Sequence, residues 1–124
     1  MPAKDVYHDT VKNALIKEGW TITSDQLFIR FGGFDMYIDL GASQVIAATK
    51  QKIAVEVKSF IGGPFISEFH TAIEQVMNYR SALKRIEPEC VLYLAVPRVI
   101  YKTYFTRCPS RYRRLSHQVH RLSC

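Results

Sequence analysis

The chain has 124 residues, of which 48% are apolar, 12% aromatic and 23% charged, a composition that suits one small globular domain and argues against a disordered or multi-domain protein. No apolar run approaches the roughly 18 residues needed to cross a bilayer, and no basic stretch with an apolar run behind it opens the sequence, so a soluble, cytoplasmic protein is expected. The net charge of +6 is unevenly placed: residues 1–97 hold 10 Lys+Arg against 11 Asp+Glu, a balance of −1, and all the excess lies in Arg98, Lys102, Arg107, Arg111, Arg113, Arg114 and Arg121.

From Asp5 to Gly19 the spacing of Val6, Val11, Ala14 and Leu15 predicts an amphipathic helix stopped by Gly19. Trp20 to Thr23 and Leu27 to Phe31 read as extended, and Gly32-Gly33 marks a turn. Phe34 to Leu40 alternates Met36, Ile38 and Leu40 with Asp35, Tyr37 and Asp39, the pattern of a half-buried strand. After Gly41 comes a short apolar stretch, Val45 to Ala48. Lys52 to Phe60 follows, with Ile53, Val55 and Val57 alternating with Ala54, Glu56 and Lys58. Gly62-Gly63-Pro64 breaks that strand. Ile66 to Ile86 carries Ile66, Phe69, Ile73, Val76 and Leu83 at helical spacing, and Val91 to Val96 is a continuous apolar run expected to be a strand covered on both faces. The order predicts an α/β domain, a mixed sheet flanked by helices, with a helical crossover before the last strand.

Cys90, Cys108 and Cys124 have neither CxxC pairing nor histidines at zinc-ligand spacing, which argues against a structural metal or disulfide; Cys90 reads as a small buried hydrophobe. No glycine-rich phosphate loop and no Ser-His-Asp order suggest small-molecule chemistry.

The chemistry concentrates elsewhere. Glu56 and Lys58 are two apart on one strand and therefore share the face opposite Ile53, Val55 and Val57. Asp39 sits on the preceding strand with the same parity relative to its apolar neighbours, so pairing of the two strands would bring two carboxylates together. Such a pair is a hard oxygen site suited to Mg²⁺ or Mn²⁺, to which the Val57 carbonyl would add a further oxygen. Phosphodiester hydrolysis needs a Lewis acid, a water and a group to hold that water, and Lys58 supplies the last. Glu-x-Lys alone is an ordinary choice for a solvated strand face. What sets this one apart is the upstream Asp39 together with Gln75 and Tyr79, which stand at i and i+4 on one helical face.

The order Asp39, Glu56-x-Lys58, Gln75-x-x-x-Tyr79 resembles the PD-(D/E)XK nuclease superfamily, and its Gln-x-x-x-Tyr element resembles the RecB-like branch. The phrases PAKDVYHDTVKNALIKEGWTIT, FGGFDMYIDLGA, KIAVEVKSFIG, SEFHTAIEQVMNYRSAL and VLYLAVP are similar to the XisH family, cyanobacterial controlling factors for excision of the fdxN element, over about Pro2 to Thr106. The resemblance implies a restriction-endonuclease-like fold, a role in programmed DNA rearrangement and a small partner of the XisI type. It also implies Asp39 and Glu56 as metal ligands, Lys58 as the water-positioning residue, and Gln75 and Tyr79 as the supporting pair. His8 and Asp9 on the first helix and Asp35 on the Asp39 strand are further polar residues that could lean toward the site; His70 reads as a surface or half-buried histidine. A second reading is a non-catalytic module that holds DNA or a protein partner, in keeping with the near-neutral body of residues 1–97.

Residues 1–106 are read as the domain and 107–124 as a basic, atypical tail. From Arg107 the chain has no acids and little periodicity, the character of translation in a shifted frame, and a domain lacking its last element is expected. A sheet edge left bare in this way invites covering by a second copy of the chain. The competing expectation is a basic arm that grips phosphates. Sequencing the encoding DNA separates the two: a single-base change that restores a longer apolar continuation supports the shifted frame, and the lack of any such change refutes it.

Overall fold

In a computed structural model of the chain, the described residues are 4–61, 63–105, 111–114 and 119–123. A helix, α1 (His8–Lys17), leads into three antiparallel strands, β1 (Thr21–Phe31), β2 (Phe34–Ile46) and β3 (Thr49–Val57). A long helix, α2 (Phe65–Ile86), then crosses over to β4 (Val91–Pro97), which pairs parallel to β3. A short helix, α3 (Arg98–Ile100), and a single π-helical turn, Tyr101–Phe105, follow. The body is the mixed sheet flanked by helices that the sequence pattern predicts. Among the described residues no helix is long and apolar enough to cross a membrane.

Alternation along β3 explains the layering. Ile53, Val55 and Val57 pack with Val11 and Leu15 of α1 and with Trp20, Leu40 and Ala42, whereas Ala54 turns to the other face against Tyr79, Ala82 and Leu83 of α2. Ala54 and Ala82 are both fully buried, and their small side chains let helix and sheet approach closely. A third cluster joins Leu94 and Val96 of β4 to Phe60, Phe69, Ile73 and Val76. Both faces of β3 are thus covered, which matters for Glu56. Two apolar residues counted into helical faces lie outside them: Val6 precedes α1 and is 70% exposed, and Ile66, in the first turn of α2, is 62% exposed.

The two segments expected on either side of residues 24–26 are one strand, β1, with a bulge where its register to β2 shifts between Ile22 and Ser24. The strand expected from Phe34 to Leu40 runs on to Ile46 as β2, and Gly41 within it pairs with Ser24 beside that bulge. A Cβ at Gly41 would meet Thr23, Ser24 and Leu27 at 3.4–3.6 Å, so the glycine marks a close backbone approach rather than a break. Gly32 and Gly33 form the two-residue β1–β2 turn with φ of +59° and +80°.

Two further short strands, β5 (Arg111–Arg114) and β6 (Val119–Ser123), continue the sheet, giving the order β1-β2-β3-β4-β6-β5. β6 pairs antiparallel with Leu94–Pro97 of β4, so that edge is not the bare one expected from the tail's composition. Cys108 and Cys124 lie outside the described residues.

Ala47 and Ala48, read only as the end of the apolar stretch Val45 to Ala48, form the two-residue β2–β3 turn at φ +52° and +64°. Left-handed backbone costs a residue with a Cβ about 1 kcal/mol or more, a cost glycine avoids. Ala47→Gly with Ala48→Gly is therefore expected to raise stability by about 1 kcal/mol, read as a higher urea midpoint; an unchanged or lower midpoint would refute a strained turn.

Candidate active site

The β2–β3 register, with Leu40 opposite Val55, sets Asp39 across from Glu56. Each carboxylate then accepts a backbone hydrogen bond from the other's strand. The Asp39 N–H donates to Glu56 Oε1 at 3.2 Å, and the Val57 N–H donates to Asp39 Oδ2 at 2.7 Å. Asp39, Glu56, Val57, Lys58, Gln75 and Tyr79, the whole set expected from the sequence, line one cavity of about 120 Å³ together with Asp5 and Tyr37. Gln75 and Tyr79 reach it from a single face of α2, one turn apart.

Electrostatics in this cavity are lopsided. Glu56 is 5% exposed. Burial raises its pKa far above the ordinary carboxylate range, the adjacent Asp39 charge and a side-chain hydrogen bond with Asp39 add to the rise, and Lys58 offsets only a minor part. At neutral pH the metal-free pair therefore holds a proton. Burial, with the charges of Glu56 and Asp39, likewise pushes the Tyr79 phenol up, so it stays a hydrogen-bond donor. Gln75 lines the cavity, and its Oε1 is buried with no hydrogen-bond partner among the described residues.

The donor set fits a hard divalent cation. Two carboxylates and a backbone carbonyl, with no sulfur or imidazole, suit Mg²⁺ or Mn²⁺, which take one or two protein carboxylates and fill their remaining positions with water or phosphate oxygens. Among the described residues no group of three or more His, Cys, Asp or Glu is close enough to hold a metal by itself.

Other polar residues resolve differently. His8 is buried at 1% exposure, and its Nε2 lies 2.7 Å from Asp25 Oδ1, whose other oxygen accepts from Lys12 Nζ at 2.8 Å. These contacts tie α1 to β1 and lie outside the cavity lining. Asp9 is exposed, and Asp35 is exposed near Arg30, 3.5 Å from its Nε. His70 is exposed beside Phe69. Cys90 is half-buried and burial pushes its thiol up to about 11, consistent with a packing role.

Two cavity residues were not singled out from the sequence. Tyr37 shares strand parity with Asp39, so alternation alone could have found it. Asp5 precedes α1 and is brought in by the packing of that helix; no periodicity signals it.

A family model described as XisH protein matches residues 1–122. The chain is similar to the crystal structure of an XisH family protein from Nostoc punctiforme, at 51% identity and a TM-score of 0.73 over 85% of this chain and 79% of that one. It is equally similar to a fdxN element excision controlling factor protein from Anabaena variabilis, at 51% identity and a TM-score of 0.73 over 84% and 78% of the two chains. No curated protein matches.

The buried pair makes a testable demand on stability. With the folded pKa of Glu56 raised above its unfolded value, the unfolded chain loses this proton first as pH rises, so the metal-free fold loses stability between the ordinary carboxylate pKa and the raised one. Glu56→Gln removes that charge and is expected to raise the Tm in EDTA at pH 7.5 by about 3–6 °C, with a smaller gain at pH 5. Equal or lower Tm at both pH values would contradict a buried, protonated Glu56.

Proposed function

The chain belongs to the XisH family, and from that premise we propose that it is a controlling factor in the excision of a DNA element, with a Mg²⁺- or Mn²⁺-dependent nuclease-like site at Asp39, Glu56 and Lys58. The observation that carries the reading is the convergence of two carboxylates, a lysine, a buried unpaired amide oxygen and a phenol on one small cavity. A structural ion pair or a solvated strand face has no use for a carboxyl pair that shares a proton at the cost of burial.

Asp39, Glu56 and the Val57 carbonyl would hold the cation, and Glu56 would give up its proton as the cation binds. When bound, the ion supplies Lewis-acid polarisation of the scissile phosphate and acidifies a bound water. Lys58 holds the attacking water or offsets charge that builds on the phosphate. Gln75 and Tyr79 close the cavity from α2, the amide oxygen accepting from a water and the phenol donating to a phosphate oxygen. The restriction-endonuclease-like arrangement of sheet and helices fits the PD-(D/E)XK order of these residues. DNA and a small XisI-type protein are the proposed partners.

A second reading is a non-catalytic module that holds DNA or a protein partner on the same fold. The balance of −1 over residues 1–97 favours its protein-holding form, because domains that grip DNA by its backbone ordinarily present a basic surface.

Calorimetric Mg²⁺ titration beside a plasmid-nicking assay decides between them. Wild type is expected to bind and nick, and Asp39→Ala and Glu56→Ala to lose both. Lys58→Ala is expected to keep its metal affinity and nick about 10²-fold more slowly. A wild type that binds no divalent cation would leave only the module reading.

A further inference from the structure

The paired run of β3 ends at Val57, so Lys58 and Ser59 follow it outside the regular ladder. Two backbone hydrogen bonds hold this stretch: the Lys58 N–H donates to the Ala95 carbonyl of β4 at 3.0 Å, and the Ser59 N–H donates to Asp5 Oδ2 at 2.9 Å. The Ser59 hydroxyl donates to the same oxygen, also at 2.9 Å. Ser59 is only 5% exposed, so losing Asp5 would strand buried donors. One residue further, Phe60 takes φ +59°, and the chain leaves the strand direction. Ser59 is thus the last residue before a sharp change of path, and a carboxylate 54 residues away in sequence fixes it.

The ordinary role for an aspartate ahead of a helix is a local turn. Asp5 does make one, its Oδ1 accepting the Tyr7 N–H at 2.9 Å. That turn uses one oxygen only. The other carries both bonds to Ser59, and the side chain lines the cavity with Lys58, Glu56 and Asp39.

We infer that Asp5 is a positioning residue: by holding Ser59 it places the Lys58 amine in the cavity opposite Asp39 and Glu56. The inference rests on the nuclease reading for what Lys58 does there, whereas the placement itself is measurable without catalysis. Asp5 acts on Ser59 through one acceptor oxygen, so an amide that turns its oxygen to Ser59 keeps both of those bonds and gives up only the turn to Tyr7. A metal ligand would lose its negative charge in the same change and bind the cation more weakly.

The test uses the full chain as wild type, Asp5→Asn, Asp5→Ala and Ser59→Ala, with two readouts: the NMR signal of the Lys58 Cε group and Mn²⁺-dependent plasmid nicking. Asp5→Ala is expected to shift the Lys58 Cε signal, speed exchange of the Ser59 amide and lower kcat about tenfold or more, with Mn²⁺ affinity and KM within about twofold of wild type. Asp5→Asn is expected to keep the wild-type signal and stay within about threefold in kcat. Ser59→Ala keeps the backbone bond, folds if Asp5→Ala does not, and is expected to move the Lys58 signal in the same direction by less. An unmoved Lys58 signal in folded Asp5→Ala, or in Ser59→Ala where Asp5→Ala fails to fold, overturns the inference. So does loss of Mn²⁺ affinity in both Asp5 variants, which would make Asp5 a ligand. A wild type that does not nick removes the nuclease reading, and the Lys58 signal then decides the positioning role alone.

Discussion

The exchange of hydrogen bonds between Asp39 and Glu56 is the constraint around which the molecule is organised. Asp39 receives the Val57 N–H and Glu56 receives the Asp39 N–H, so the two carboxylates are fixed to each other's strands. Their proximity is unfavourable without a cation between them, because two buried acids side by side cannot both ionise without cost. What the sheet, α1 and α2 supply is enough buried apolar surface to hold that arrangement. Ile53, Val55 and Val57 pack on one side, and Ala54 packs with Tyr79 and Ala82 on the other. On the proposed reading, the pair is held at the expense of stability so that it is ready for a cation.

Covering both faces of β3 changes the meaning of the Glu-x-Lys pattern. On a half-exposed strand, Glu56 and Lys58 would be two solvated charges worth little. Under α2, the same spacing gives a nearly fully buried acid and a half-buried lysine at the end of the paired run. If DNA is the partner, as proposed, the near-neutral charge of residues 1–97 gives that part of the chain little long-range attraction for it.

Much of this was legible in the sequence, and for identifiable reasons. The strict alternation from Ile53 to Lys58 and the apolar run from Val91 to Val96 made β3 and β4 readable, and the Asp39, Glu56, Lys58, Gln75, Tyr79 order gave the cavity lining. The misses share a cause, which is that tertiary pairing overrode local signals. The Phe34–Leu40 strand was read too short because the place of Gly41 opposite a bulge exists only once β1 and β2 pair. Ala47 and Ala48 carry no turn signature, yet the reversal demanded by β2–β3 pairing falls on them. His8 gave no hint of burial until Asp25 was brought beside it. Asp5 reaches the site by helix packing, a contact over 54 residues that no local pattern encodes.

The central claim is that Asp39 and Glu56 form the seat of a divalent cation. Crystals soaked in Mn²⁺ and measured for anomalous scattering test it most directly. The account predicts one strong peak within bonding distance of an oxygen of each carboxylate and of the Val57 carbonyl. Crystals that leave this cavity without a peak, or place the ion elsewhere on the surface, would contradict it.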